Sequence, residues 1–252
     1  MSAPFDFTNR VVLVTGAGGG LGRHIARCFA EAGAKVAVND LNRESALATA
    51  NELASSGFTA LALAGDATSE QEVESMFSSI ESVFGPVDTV VANATGKQIS
   101  EPIEKLDWDY YQSMIDFFIK SPYLLSRRAL PNMKKAGFGR IVNIASEVFA
   151  EGANLSTAYT AAKGGQIGFT RSLSTEVSAS GITVNAVAPG FIPVERHSHL
   201  PKEVFDGYLA TVPAGRFGTP ADIGWAAVFL ASSEAGFITG ETIHVNGGRT
   251  PN

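Results

Sequence analysis

Residues 11–22 read VVLVTGAGGGLG, and this stretch decides the expected fold. It begins as an apolar run of mostly β-branched residues, which is typical of a buried strand. The run ends in glycines and a helical pattern begins at once, so the glycines are expected to form a tight turn. The N-terminus of the helix would present free N–H groups and a partial positive charge, which suit a phosphate. A glycine cluster alone is often only a turn, so both interpretations stand at this point.

An acidic residue at the end of the next apolar run favours the phosphate interpretation. That run covers residues 35–40 and closes with Asp40. In dinucleotide-binding folds, an acid about 20 residues beyond the glycines accepts hydrogen bonds from the adenosine ribose. The glycine turn, its place between a strand and a helix, and Asp40 together predict dinucleotide binding rather than a structural turn.

A second candidate site lies in residues 146–163, which read SEVFAEGANLSTAYTAAK. A strand-like run ends directly before Ser146, which places Ser146 at the carboxyl end of that strand. A helix is expected around Tyr159. Tyr159 and Lys163 are four residues apart and therefore share one helix face. A nearby ammonium stabilises a phenolate, so we expect Lys163 to lower the pKa of Tyr159 and make it a usable acid/base. Such a pair also arises by chance in surface helices, and the upstream glycine turn is what favours catalysis.

The two sites together resemble those of the short-chain dehydrogenase/reductase family, and the resemblance covers nearly the whole chain. Residues 15–22 match its Thr-Gly-x-x-x-Gly-x-Gly loop. Tyr159 and Lys163 match its Tyr-x-x-x-Lys pair, and Ser146 lies at the usual distance before the tyrosine. Each motif alone is weak, but their combination is highly specific.

Two further segments extend the resemblance. Asp66 and Ala67 are similar to the acid-plus-small pair near the adenine ring, and residues 185–190, NAVAPG, are similar to the Asn-x-x-x-Pro-Gly segment beside the nicotinamide. The resemblance implies the following cofactor-binding residues: Gly16, Gly20, Leu21, Gly22, Asp40, Leu41, Asp66, Ala67, Asn93, Ala94, Tyr159, Lys163, Pro189, Gly190 and Ile192.

The expected cofactor is NAD. Asp40 would face the 2′-phosphate of NADP as a like charge, and neither Gly19 nor Leu41 offers a basic side chain in compensation. Arg43 is the main risk to this prediction, because its side chain could swing toward a phosphate.

The composition narrows the class of protein. The chain has 252 residues, 45% hydrophobic and 17% charged, which suffices for one α/β domain with a full core. A formal net charge of −6 gives a nucleic-acid role no electrostatic support. The single cysteine, Cys28, excludes an intrachain disulfide and fits a reducing compartment. Residues 1–7 show no signal-peptide pattern and no apolar run is long enough to span a bilayer, so we expect a cytoplasmic protein without a membrane partner.

Strand-like and helix-like segments alternate through the chain, which predicts a Rossmann-type α/β fold with a doubly wound parallel sheet of about seven strands. No linker is visible, so residues 1–252 are expected to form a single dinucleotide-binding catalytic domain. The predicted strands are residues 10–15, 35–39, 59–64, 87–92, 139–145, 183–188 and 242–245. The predicted helices are residues 21–31, 43–55, 69–83, about 107–136, 157–178, 202–209 and 220–231. Residues 191–213 are expected to cover the substrate with a loop and a short helix.

The aromatic residues in the long fourth helix leave two interpretations open, since they could fill the core or form a subunit interface. In relatives, this helix and the next one form such interfaces. The resemblance, together with the apolar pair Phe237 and Ile238, implies a homotetramer.

Several polar residues near the expected cleft are weighed as substrate contacts. Glu195 and Arg196 lie on the covering segment, and Glu147 and Phe191 lie next to the motifs, so all four are candidate substrate contacts. The covering segment also holds two histidines, His197 and His199. They could bind substrate or titrate near pH 6.5, but the favoured interpretation is that both are exposed loop residues, and their spacing does not indicate a metal site.

Three departures from the family pattern stand out. The Asn-Asn-Ala-Gly turn appears as residues 92–95, ANAT, so its glycine is displaced or lost. Val194 occupies the place of a threonine that contacts the carboxamide in the family. The helix asparagine that carries a relay water falls at Phe118, a register set by matching residues 121–125, SPYLL, to Gly-Pro-Phe-Leu-Leu.

The sequence therefore predicts an NAD(H)-dependent oxidoreductase that interconverts a small-molecule secondary alcohol and its ketone. Tyr159 would be the general acid/base, with Ser146 and Lys163 beside it. Two alternatives remain open: an NADPH-dependent 3-ketoacyl reductase, and a nucleotide-sensing protein that keeps the fold without turnover.

Overall fold

Seven parallel strands form one sheet in the computed structural model of the chain, which describes residues 5–250. The strands are β1 Val11–Val14, β2 Lys35–Asp40, β3 Ala60–Ala64, β4 Thr89–Ala92, β5 Gly139–Ile144, β6 Ile182–Pro189 and β7 Thr242–Val245. Their order is β3-β2-β1-β4-β5-β6-β7, so the chain winds outward from β1 and then crosses back to β4. The predicted doubly wound α/β fold is confirmed. In such sheets ligands bind at the carboxyl edge where the winding reverses, here between β1 and β4.

Helices cover both faces of the sheet. They are α1 Gly20–Glu31, α2 Arg43–Ser55, α3 Glu70–Val83, α4 Trp108–Ile115, α5 Ser121–Ala136, α6 Val148–Glu151, α7 Thr157–Val177, α8 Lys202–Leu209 and α9 Pro220–Ala231. One apolar core cluster joins α1, α2 and α9 to the sheet, and a second joins α3, α5 and α7 to its other face. The sheet is therefore buried on both sides, which explains why its strands read as continuous apolar runs.

Side-chain caps fix several helix starts. Thr219 and Asp222 form a reciprocal capping box at α9, and the Asn42 side chain accepts from the backbone N–H of Ser45 at α2. The sequence pattern of a capping box at α3, Ser69 followed by Glu72, is realised only in part. Ser69 caps the helix, but the Glu72 carboxylate accepts instead from the backbone N–H of Asp66 at 2.8 Å.

The predicted long fourth helix is interrupted. A π-helical turn, Asp116–Lys120, joins α4 to α5. Pro122 follows at the start of α5, and its ring removes the N–H that an α-helix would direct at the carbonyl of Phe118. A widened turn accommodates that loss, and such turns are frequent at functional sites. Phe118 itself lies inside the π-helical turn.

Four short elements were not predicted, namely α6 and the 3₁₀ turns Ile103–Lys105, Ser178–Ser180 and Glu195–His197. Within residues 5–250, no helix has both the length and the apolar character needed to cross a membrane. The expectation about the N-terminal segment concerns residues 1–7, of which residues 1–4 lie outside the described part of the chain.

Candidate active site

The carboxyl edge of the sheet brings together most of the side chains singled out in the sequence. Ser146 follows β5, Asn93 follows β4, and the glycine turn follows β1. Tyr159 and Lys163 reach the same edge from the first turns of α7.

The side chains of Ser146 and Gln98 act on the Tyr159 phenol. Burial raises the pKa of Tyr159 above its ordinary value, while polar interactions with these two side chains and the positive charge of Arg196 partly lower it. The role expected of Lys163 in lowering this pKa stays a prediction.

Lys163 is buried, and its ammonium donates hydrogen bonds to Ile144 and Gln166. Its Nζ donates to the backbone oxygen of Ile144 at 2.6 Å and to Gln166 Oε1 at 3.1 Å. The ammonium lies 5.7 Å from the centre of the Tyr159 ring. Burial, with a smaller contribution from Arg196, holds the pKa of Lys163 well below its usual range. A desolvated ammonium at this distance acts on the ring but does not pair with the phenol oxygen.

The glycine turn has the shape that a diphosphate requires. Gly16 has a φ of +61°, and a Cβ at Gly22 would lie 2.1 Å from the Gly16 carbonyl oxygen, so neither position tolerates a side chain. A Cβ at Gly19 would meet nothing within 4 Å, so the backbone there faces open space. At Gly20 the φ is +50°, and Leu21 packs against the core below. These residues fit a bound dinucleotide.

Two acids stand near this turn. Asp40 Oδ2 accepts from the Gly18 N–H at 2.9 Å, and Oδ1 accepts from the Asn42 N–H at 2.9 Å. Each carboxylate oxygen has further acceptor capacity, so Asp40 can still receive ribose hydroxyls. Asp66 Oδ1 accepts from Thr68, and the neighbouring Ala67 is buried. Leu41 is 73% exposed beside Asp40.

The turn after β4 is fixed to the glycine turn. Asn93 Nδ2 donates to the backbone oxygens of Thr15 and Gly16 at 2.9 and 3.1 Å. The backbone N–H groups of Asn93 and Ala94 both donate to Thr15 Oγ1 at 3.1 Å. The displaced glycine, Gly96, packs so closely on the Phe117 ring that a Cβ there would lie 2.3 Å from it. Although its glycine is displaced, this segment remains ordered around Thr15.

The segment after β6 runs past the same edge. Pro189 ends the strand, Gly190 donates its N–H to the Val245 carbonyl, and Ile192 is buried. A Cβ at Gly190 would lie 2.3 Å from the Tyr208 hydroxyl oxygen. The Pro-Gly pair is thus also a packing requirement for the helix that follows.

The expectation of a substrate contact at Glu147 is contradicted. Its side chain is 3% exposed, and its two oxygens accept hydrogen bonds from Tyr208, Arg249 and Asn246. Phe191 likewise forms the centre of an aromatic cluster rather than a free contact surface. The cluster comprises His197, Phe205, Tyr208 and Phe217, with ring centres 4.7–6.0 Å from that of Phe191.

The covering segment presents one cation toward the phenol. Glu195 is paired with Arg23 in α1, beside Gly20. Arg196 Nε donates to His197 Nε2 at 3.1 Å. Burial lowers the pKa of His197 to about 4, well below the value near 6.5 that is ordinary for histidine. His197 stays neutral at neutral pH and serves as a fixed acceptor for Arg196. Within the described residues, no group of three His, Cys, Asp or Glu side chains could hold a metal ion.

Sequence reasoning missed three residues at this site. Gln98 reaches the phenol from the loop after β4, a location at the carboxyl edge that carries no family motif. Tyr208 and Arg249 contact Glu147 from positions 61 and 102 residues further along the chain. The helical pattern of residues 202–209 marked where Tyr208 would lie, but nothing in the sequence indicated its partner.

Comparisons with known proteins agree with this geometry. Residues 16–250 match the family model described as Enoyl-(Acyl carrier protein) reductase. The chain is 40% identical to the 3-oxoacyl-[acyl-carrier-protein] reductase of Escherichia coli (strain K12) over 243 residues, covering 96% of this chain and 98% of that protein. It is 38% identical to a (2S)-[(R)-hydroxy(phenyl)methyl]succinyl-CoA dehydrogenase subunit of Thauera aromatica over 245 residues, covering 96% and 97%. A crystal structure from Agrobacterium tumefaciens, provisionally described as a gluconate dehydrogenase, superposes with a TM-score of 0.92 at 34% identity, covering 97% of each chain.

Proposed function

The chain belongs to the short-chain dehydrogenase/reductase family, and from this premise we propose that it interconverts a secondary alcohol and its ketone with NAD(H). As a member of the family, it is an oxidoreductase that acts on a CH–OH group or the corresponding ketone. The observation that carries the finer proposal is that Ser146, after β5, and Tyr159, in the first turn of α7, meet beside the glycine turn at the carboxyl edge of the sheet.

The roles of the side chains follow from their chemistry. Tyr159 passes a proton to or from the substrate oxygen, and Ser146 orients that oxygen and stabilises its developing charge. Gln98 acts on the phenol from the loop after β4. Lys163, by family resemblance, holds the nicotinamide ribose. A bound nicotinamide supplies the hydride chemistry.

The cofactor proposal rests on the geometry of the glycine turn and on Asp40. We assign the cofactor-binding role to the residues named from the resemblance, from Gly16 to Ile192. Asp40 accepts the ribose hydroxyls of NAD and disfavours the 2′-phosphate of NADP as a like charge.

The position of Arg196 indicates a substrate that carries an acidic group. A guanidinium has five N–H donors, and the Nε donor is directed at His197. The remaining donors suit a carboxylate held near the phenol, and carboxylates accept such donors in pairs. A hydroxy acid meets this requirement, and the name of the Agrobacterium protein points to the same substrate class. This role replaces the substrate contact expected at Glu147.

We further propose that the chain acts as one catalytic domain, residues 1–252, with residues 191–213 covering the substrate. The proposed assembly is a homotetramer, in which the exposed aromatic residues of α4 and α5 and the loop at Phe237 contact other subunits.

Turnover with a panel of substrates tests this function. Hydroxy acids, sugars, cyclic alcohols and acyl thioesters would be supplied with NAD or NADP, and with NADH or NADPH for the ketones, while the nicotinamide absorbance is recorded. The proposal expects turnover of a hydroxy acid with NAD. Turnover confined to 3-ketoacyl thioesters with NADPH would favour the alternative that the identity to the 3-oxoacyl reductase suggests. Cofactor binding without turnover of any substrate would favour a nucleotide-sensing role.

A further inference from the structure

A buried carboxylate lies directly after Ser146. The side chain of Glu147 is enclosed, and its Oε1 accepts from the Tyr208 hydroxyl at 2.7 Å and from Arg249 Nη1 at 2.9 Å. Its Oε2 accepts from Asn246 Nδ2 at 3.0 Å. A buried carboxylate is tolerated only when such donors replace water. The three donors come from α8 and from the segment after β7, so this one side chain connects three distant parts of the chain.

Tyr208 connects this carboxylate to the start of the covering segment. Its hydroxyl donates to Glu147 and accepts from the backbone N–H of Phe191 at 2.8 Å. The hydroxyl lies so close to Gly190 that any side chain there would displace it. The ring of Tyr208 also stacks on Phe217. The Tyr208 hydroxyl therefore ties α8 to the end of β6 by hydrogen bonds, in addition to the ring contacts with Phe191.

Arg249 connects the same carboxylate to the segment that follows β7. Its Nη1 also pairs with Glu151 at 2.5 Å, and its Nε donates to Thr211 Oγ1 at 2.8 Å. The guanidinium lies 4.8 Å from the centre of the Tyr208 ring. Arg249 thus neutralises Glu147 and packs on the residue that Glu147 holds.

We propose that Glu147 is a positioning residue that fastens the substrate-covering segment, residues 191–213, over the cleft through Tyr208. The proposal rests on the function proposed above. The covering segment binds substrate in its fastened arrangement, so the apparent affinity for substrate falls with the fraction of molecules in that arrangement. Glu147 performs no proton transfer, and the chemical step in the fastened complex does not depend on it.

Glu147→Gln tests this role with Glu151→Gln as its matched control. Both substitutions remove one carboxylate charge next to Arg249, but only Glu147 contacts Tyr208. We expect Glu147→Gln to raise KM for the alcohol roughly tenfold or more while kcat and the Kd for NAD stay within about twofold. Glu151→Gln should leave all three values within about twofold of wild type.

Limited trypsin digestion tests the same role without a substrate. Arg196 and Lys202 are exposed cleavage sites within the covering segment. Mass spectrometry should show faster cleavage after both residues in Glu147→Gln, and wild-type cleavage in Glu151→Gln. Because this measurement needs no turnover, it judges the positioning role even if the proposed function fails.

Tyr208→Phe is a second variant that tests the same role in case Glu147→Gln does not fold. It keeps the ring and removes only the hydroxyl, so it should reproduce the faster cleavage and the raised KM. When Glu147→Gln and Tyr208→Phe are combined, their effects on KM and on the cleavage rate should not add, because both substitutions break the same contact. Wild-type cleavage and KM in Tyr208→Phe would overturn the proposal, and so would an equal effect of Glu151→Gln.

Discussion

The ammonium of Lys163 lies 3.8 Å from the centre of the Phe118 ring. The same ring meets Tyr159 edge-on, with ring centres 5.3 Å apart. Phe118 is 1% exposed, so it packs on both side chains from inside the protein. A cation over a desolvated aromatic face gains on the order of 2 kcal/mol, which offsets part of the cost of burying Lys163. Phe118, one of the departures from the family pattern, therefore has a defined structural role.

Tyr159→Phe should reduce turnover by roughly 10²–10⁴-fold and leave NAD binding nearly intact. The ring keeps its contact with Phe118, but the transferable proton and the polar interactions with Ser146 and Gln98 are lost. Steady-state rates and a fluorescence titration with NADH measure the two effects separately. A near-wild-type rate would remove Tyr159 from the mechanism.

Arg196→Gln should move the pH profile of alcohol oxidation to higher pH. Oxidation needs the phenolate, so kcat/KM rises with pH and levels off above the pKa of Tyr159. Arg196 lowers that pKa, and removing its charge therefore raises it. In the reducing direction, which needs the phenol, activity should persist to higher pH in the variant.

Lys97→Gln is the control for this pH shift. Lys97 is exposed on the loop next to Gln98, and its charge is not among those that act on the phenol. Its profile should match wild type. An unmoved profile in Arg196→Gln, or an equal shift in Lys97→Gln, would contradict the proposed electrostatic role.

NAD should be preferred over NADP, and Asp40→Asn should weaken that preference. The amide oxygen can still accept an N–H from the glycine turn, while the charge that repels a 2′-phosphate is gone. Like-charge contacts cost several kcal/mol, and each ~1.4 kcal/mol is tenfold in affinity. Adding Leu41→Arg, at a position 73% exposed, should favour NADP further. The measurement is kcat/KM with each cofactor, and wild-type preference for NADP would defeat the prediction.

Local sequence signals predicted most of the sheet and several helices. The bounds predicted for α2, α8, α9 and β7 are those observed, because caps and turn residues mark them locally. The π-helical turn was missed, since a proline near a helix start is ordinarily tolerated. The spacing of Tyr159 and Lys163 predicted a shared face but not how deeply each group is buried, and burial sets both pKa values. The Glu147 contacts depend on residues far apart in sequence, which no local pattern encodes.

Phe237→Asp should weaken the proposed tetramer. Phe237 is fully exposed in the described chain. A groove of about 390 Å³ between α5 and α7 is lined by apolar residues such as Phe169 and by charged residues such as Arg127 and Glu176. An aspartate in a buried subunit contact would be an unpaired charge. Light scattering should show a tetramer for wild type and smaller species for the variant. Val83→Asp, at an exposed apolar residue of α3, is the control and should remain tetrameric. A wild-type monomer at micromolar concentration would overturn the assembly.

Phe118→Asn should change kcat by less than about tenfold, because proton transfer by Tyr159 does not require this side chain. Stability should fall by about 3 kcal/mol or more, since the variant loses a fully buried ring and places an amide among Met114, Ala158 and Ala162. Rates measured well below the Tm, together with urea unfolding, separate the two effects. A gain of orders of magnitude in kcat would mean that the phenyl ring blocks a relay that the asparagine restores.

A phenyl ring cannot hold a relay water, so the proton needs another exit from the site. Ser121 is buried three residues further along, at the start of α5, and its hydroxyl is the proposed substitute. Ser121→Ala should then slow turnover, most of all where proton release limits the rate. Ser126→Ala makes the same change at another buried serine of α5 and should leave the rate unaltered. If the two variants turn over equally fast, the proton leaves through Lys163 and the ribose hydroxyl instead, and the role given to Ser121 is wrong.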